Sequence, residues 1–180
     1  MRLYVMRHGQ TDNNVKRKMT GRYDEDINKT GVAQAEEARK EVADIDYDVI
    51  FASPLMRAKH TAEIVNCKKL PVHYDERLFE RDMGYLTNAG IHGDVDKSDF
   101  WNIAPAADYR DAEPIKAMYD RVGDFYEYVK EHYDGKTVLV VTHDGVVRVL
   151  HGYLNGIPEH GALLEGNIKN CELREITEPG

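Results

Sequence analysis

Two apolar runs in this chain each end in a histidine followed closely by glycine: Leu3-Tyr4-Val5-Met6-Arg7-His8-Gly9 and Val138-Leu139-Val140-Val141-Thr142-His143-Asp144-Gly145. An imidazole can act as nucleophile, base or hydrogen-bond donor, and its charge changes near physiological pH. A parallel sheet places its ligand site just beyond the carboxyl ends of its strands, so two buried strands would deliver both imidazoles to one place. Arg7, beside His8, and Arg57 each add a planar fork of donors that matches phosphate or carboxylate oxygens. The pattern predicts an anion site, with phosphate as the leading candidate.

The intervening residues supply elements that could hold such a site. Residues 2–6 read as the first strand, followed by a polar loop from Gly9 to Gly21. Thr30 reads as the N-cap of a helix to about residue 43, with Val32, Ala35, Ala38 and Val42 on one face. Residues 48–52 form a short apolar strand. Ser53 and Pro54 then read as N-cap and first helical residue of a helix to about residue 66, which sets Arg57 in a first turn where free amides already favour anions. Residues 71–74 are a weak strand. Residues 114–133 form a long helix, 137–141 a strong strand, 146–154 its following helix and 171–176 a final alternating strand. Strands alternating with helices predict an α/β fold: a three-layer α/β/α sandwich around a mostly parallel sheet. Residues 77–114 show no sustained period, but carry Tyr85, Phe100, Trp101 and Tyr109 among glycines. They are expected to form an ordered flap over the sheet, because a loop beyond about 12–15 residues in a compact domain is usually functional or disordered.

Length and composition narrow the possibilities. A chain of 180 residues fits a single domain spanning 1–180, and 42% hydrophobic with 31% charged residues is ordinary for a globular protein. The formal charge of −8 argues against a nucleic-acid partner, so an anion site must rely on local cations and amides. No apolar stretch approaches the roughly 20 residues of a membrane helix, and the N-terminal run is too short for a signal peptide, so no membrane partner and a cytoplasmic location are expected. Cys67 and Cys171 are read as packing residues. His60, His73, His92, His132, His151 and His160 lack metal-site spacing, so no metal and no cofactor are predicted.

Arg7-His8-Gly9-Gln10-Thr11 with Asn14, Ser53-Pro54-Leu55-Met56-Arg57-Ala58, Leu78-Phe79-Glu80 with Gly84, and Thr142-His143-Asp144-Gly145 together resemble the histidine phosphatase superfamily, also called phosphoglycerate mutase-like. The segment from Gly21 through Gly31 to Gln34-Ala35 is similar to that family's second block. The resemblance implies that His8 attacks phosphorus to give a phosphohistidine, with one ring nitrogen held by a backbone carbonyl. It implies that Arg7, Arg57 and His143 surround the phosphoryl oxygens and that Glu80 is the general acid, chosen over Glu76 and Asp82 by its motif. Thr11, Asn14, Gly21 and the Asp144 amide are the further expected contacts to a small phosphorylated substrate. Thr11 and Asn14 could equally cap the turn after the first strand.

Other phosphoryl chemistries fit poorly. Gly135-Lys136-Thr137 resembles the end of a P-loop, but it precedes its strand and lacks the first glycine. Asp44 and Asp46 likewise lie before their strand. Asp144 stands where the family often has glycine, so its carboxylate must point away from phosphate. Between Tyr85 and Pro114 only Lys97 and Arg110 are strong cations, too few for the grip by which a mutase holds a second acidic group. A phosphatase with water as acceptor is therefore favoured over a phosphoglycerate-type mutase, and the intact set of His8, Arg7, Arg57, His143 and Glu80 counts against a phospho-ligand or phosphoprotein binding module without turnover. The same scarcity predicts a substrate with little additional negative charge.

Overall fold

The computed structural model describes residues 1–90 and 95–177; His92 and Gly93 lie outside the described residues. Five strands, β1 (Arg2–Arg7), β2 (Val49–Ala52), β3 (Val72–Tyr74), β4 (Thr137–Thr142) and β5 (Leu173–Ile176), form one sheet in the order β3-β2-β4-β1-β5. The first four are parallel, and β5 joins antiparallel to β1. The helices are α1 (Asp12–Val15), α2 (Lys29–Ala43), α3 (Met56–Val65), α4 (Lys97–Phe100), α5 (Ile115–His132) and α6 (Asp144–Asn155). None is long and apolar enough to cross a membrane.

The apolar runs of β1, β2 and β4 follow from a sheet covered on both faces. Side chains alternate along each strand. Leu3, Val5, Val49, Phe51, Val138 and Val140 pack on one side with Met118, Val122 and Val129 of α5 and Val146 and Leu150 of α6. Met6, Ile50, Ala52, Leu139 and Val141 pack on the other with Ala35, Ala38 and Val42 of α2 and Ala58, Ala62 and Val65 of α3. These two cores make the expected three layers.

Several boundaries differ from the sequence reading for local reasons. The cap of α2 is Asn28, whose side chain accepts from the Gly31 amide at 3.0 Å, so Thr30 lies within the first turn. Helix α3 starts at Met56 after an N-cap at Leu55 with no side-chain cap bond. Ser53 does not cap it, because its hydroxyl turns to His143 at 2.8 Å. The polar loop after β1 contains α1, with Thr11 and Asn14 forming a reciprocal capping box. Between β3 and α5 the described residues form 3-10 turns at Glu76–Leu78 and Gly84–Leu86, then α4. Phe100 and Trp101 are buried there against the α5/α6 core.

Leu139 is fully buried in the central strand. Leu139→Ala is expected to destabilise the fold by about 2–5 kcal/mol, the usual range for a core leucine deletion, seen as a lower urea midpoint with unchanged slope. A change below about 1 kcal/mol would contradict this packing.

Candidate active site

Register carries the two histidines to one level. Arg7 of β1 pairs with Thr142 of β4, and the ladder continues with the His8 amide donating to the Thr142 carbonyl at 2.9 Å. The next residue on each strand is a histidine, and the two rings lie 5.2 Å apart between centroids, tilted by 59°. Ser53, one step beyond β2, lies beside them through its amide bond to Val141 at 3.0 Å.

His8 is 4% exposed, and its Nδ1 lies 2.7 Å from the Gly9 carbonyl oxygen. A carbonyl can only accept, so Nδ1 carries the proton and Nε2 keeps its lone pair. Burial holds the His8 imidazole well below its ordinary pKa, and the Arg57 and Arg7 charges push it the same way. The ring is neutral, with the tautomer a nucleophile needs. His143 is depressed likewise, by burial first and then Arg57 and His8.

Arg57 is 1% exposed and donates to the Tyr23 carbonyl at 2.9 Å and the Gly21 carbonyl at 2.7 Å. Gly21 adopts φ +52, and a Cβ there would stand 2.7 Å from Met83, so glycine suits the turn that aims this carbonyl. Arg7 donates to the Ile168 carbonyl at 3.0 Å. Arg7 Nε, Arg57 Nε and His143 Nδ1 are buried with no protein partner. Buried polar atoms are rarely left so, and here they belong to three residues grouped around His8.

These groups open into a cavity of about 350 Å³. Arg7, His8, Asn14, Gly21 and Arg57 line its floor and near wall, together with Glu80 and Asp144. Glu80 Oε1 accepts from the Arg81 amide at 2.8 Å and Oε2 from the Gly145 amide at 3.2 Å. Burial nevertheless raises Glu80 above the ordinary carboxyl range. The competing acids are elsewhere: Glu76 is exposed, and Asp82 accepts from the Gly84 amide at 2.9 Å. The Asp144 carboxylate is engaged within the protein, pairing with Arg148 Nε at 2.8 Å and accepting from the Ile168 amide at 2.9 Å, although Asp144 itself lines the cavity. Thr11 is fully buried and does not line the cavity; it caps α1 instead. Among the described residues no group of three or more His, Cys, Asp or Glu side chains is placed to hold a metal ion.

The family model for the histidine phosphatase superfamily, branch 1, matches residues 3–179. The chain belongs to that superfamily. It is 33% identical over 153 residues to the "Uncharacterized phosphatase PhoE" of Bacillus subtilis, covering 84% of this chain and 76% of that protein. It is 30% identical over 163 residues to "Phosphoserine phosphatase 1" of Hydrogenobacter thermophilus, covering 87% and 77%. Among solved structures, the alpha-ribazole phosphatase of Shigella flexneri superimposes with a TM-score of 0.81 at 28% identity, covering 98% of this chain and 90% of that one.

This histidine phosphatase superfamily site also contains residues the sequence reading passed over. Lys18 and Arg148 line the cavity from outside the central segment, beside Lys97 within it. Met19, Met83, Val95, Phe100 and Trp101 make an apolar wall. Ser53, read as a cap, is the partner of His143. Its serine-proline context signalled a helix start, and only the strand register shows that it faces a histidine.

Gly145 has no room for a side chain: a Cβ would lie 2.1 Å from Glu80 Oε1 and 2.8 Å from the Trp101 ring. Gly145→Ala is expected to displace both, and because Trp101 is the chain's one tryptophan, its emission maximum reports the shift directly. An unchanged spectrum in a folded variant would contradict the close approach.

Proposed function

We propose that this protein hydrolyses a small phosphomonoester through a phosphohistidine on His8, with water as the final acceptor. The observation that carries this reading is His8 Nδ1 bound to the Gly9 carbonyl, which leaves Nε2 as the lone-pair nitrogen, amid buried nitrogens of Arg7, Arg57 and His143 that have no protein partner. In the first step His8 Nε2 bonds to phosphorus as the ester P–O bond breaks, and Glu80 protonates the leaving oxygen. In the second, water attacks phosphorus as the P–N bond breaks, and Glu80 takes up the proton of the water. Arg7, Arg57 and His143 stabilise the charge on the equatorial oxygens, which changes position little while bonds exchange at the apex.

A neutral His143 suits this role if its Nε2 accepts from the Ser53 hydroxyl, which leaves Nδ1–H to donate to a phosphoryl oxygen. The cavity size is that of a small-molecule site, and its apolar wall favours a leaving group with an apolar or planar body. The cationic lining is richer than the central segment alone implied. Arg148, however, is already paired with Asp144, which leaves Lys18 and Lys97. Water rather than a second substrate hydroxyl is favoured as acceptor because, among the described lining residues, only Lys18 and Lys97 remain to hold a second phosphate.

Turnover of an aryl phosphate should be lost in His8→Ala and unaffected by a chelator in the wild type. Activity surviving in the variant, or abolished by the chelator, would sink this mechanism. Feeding 3-phosphoglycerate should yield free phosphate, whereas an isomer would point to a mutase.

Activity should follow a bell-shaped pH profile with assignable limbs. Protonating His8 removes the nucleophile, so kcat/KM falls on the acid side, at a pH below the ordinary imidazole value of 6.5. Ionising Glu80 removes the acid, so kcat/KM falls on the alkaline side, above the ordinary carboxyl value of 4.5. Glu80→Gln should erase the alkaline limb and slow an alkyl phosphate by about 10²–10⁴-fold, while an aryl phosphate with a good leaving group loses far less. Equal losses on both substrates would remove Glu80 from the acid role.

A further inference from the structure

Residues 168–171, on the connection between α6 and β5, hold several parts of the site at once. The Ile168 carbonyl accepts from the Arg7 guanidinium at 3.0 Å, while its amide donates to Asp144 at 2.9 Å. The Cys171 amide donates to the Arg7 carbonyl at 2.9 Å. Between them, Asn170 Nδ2 spans 2.8 Å to the His8 carbonyl and 3.2 Å to Asn14 Oδ1.

Both amide orientations in this chain of bonds are dictated by backbone groups. The His8 carbonyl can only accept, so the Asn170 atom beside it is the nitrogen. The Thr11 amide can only donate, so the Asn14 atom 3.1 Å from it is the oxygen. Asn14 Oδ1 then accepts from both Thr11 and Asn170, which occupies its two lone pairs. Its Nδ2, with two hydrogens, is the end left for the cavity that Asn14 lines. Turned the other way, Asn14 would present lone pairs to an anion and repel it.

We propose that Asn170 is a positioning residue for the phosphoryl site: its amide locks the Asn14 side chain with Nδ2 toward the cavity, making Asn14 a fixed donor to phosphate. The inference rests on the reading of this cavity as a phosphoryl site. Asn170→Asp is nearly isosteric and turns the donor into an acceptor. The introduced carboxylate repels Asn14 Oδ1 and draws Nδ2 toward itself at the cost of the Thr11 amide bond, so Nδ2 is no longer held toward the cavity.

The test is the Kd for inorganic phosphate, measured by calorimetry on the full chain, beside KM and kcat for an aryl phosphate. Asn170→Asp is expected to raise Kd and KM about tenfold or more, the scale of one lost hydrogen bond to a charged group, with kcat changing less. The ratio of variant to wild-type Kd should narrow as pH falls, since the protonated carboxyl can again donate to Asn14. Asn14→Ala should weaken phosphate similarly, and adding Asn170→Asp to it should do little more, because the two act as one unit. Should the aspartate variant not fold, Asn170→Ala carries the same comparison, with a smaller rise that again vanishes in the Asn14→Ala background. A wild-type chain that does not bind phosphate overturns the reading of the cavity and the inference with it. Normal phosphate binding in the Asn170 variants, or additive losses in the double variant, overturns the inference alone.

Discussion

A guanidinium buried without a carboxylate partner sets the terms for this active site. Arg57 is 1% exposed, and among the described residues neither it nor Arg7 forms an ion pair; both are oriented by main-chain carbonyls of Gly21, Tyr23 and Ile168. Carbonyl dipoles offset part of the desolvation of a buried cation but leave its charge uncancelled. That uncancelled field does two things. Added to the larger effect of burial, it pushes the His8 imidazole below its ordinary pKa, and it offers local positive charge to an anion entering the cavity. Pairing either arginine with a carboxylate would weaken both effects.

The same low-polarity surroundings act in opposite senses on the two titrating groups. Burial favours the neutral form of each, so the imidazole pKa falls and the Glu80 carboxyl pKa rises, the directions that the proposed nucleophile and acid require. Glu80 is held through its main chain as well as through its carboxyl. Its main-chain carbonyl accepts from Arg22 Nε at 3.3 Å and Arg121 Nη2 at 3.4 Å, and Arg121 is fixed by Glu113 at 2.7 Å. Arg81, next in sequence, stacks 3.8 Å over the Phe100 ring and donates to the Glu113 carbonyl at 2.8 Å. Burial lowers its guanidinium to about 10. Glu80 is thus tied to the Phe100-Trp101 wall through the backbone and through Arg81.

What the sequence made legible was whatever depends on one run of residues. The apolar strands, both histidines, Arg57 in a first helical turn and the layered architecture follow from periodicity and motif order. The features that were missed depend on register or on distant segments. Ser53 looked like a cap because serine before proline usually is one, yet the pairing of β2 with β4 brings its hydroxyl to His143. Asn28 rather than Thr30 caps α2 because its side chain reaches the Gly31 amide at 3.0 Å. Asn170, Lys18 and Arg148 carry no local signal, since their roles arise only when segments far apart in the chain meet at the cavity.

The central claim is that His8 becomes covalently phosphorylated during turnover. Rapid acid-free quenching of the protein mixed with an aryl phosphate, followed by mass spectrometry of the peptide containing His8, tests it most directly. A phosphoryl adduct on the His8 ring, stable in base and labile in acid, formed and lost at rates compatible with turnover, is the predicted result. Turnover with no adduct at His8, or an adduct on another residue, would contradict it.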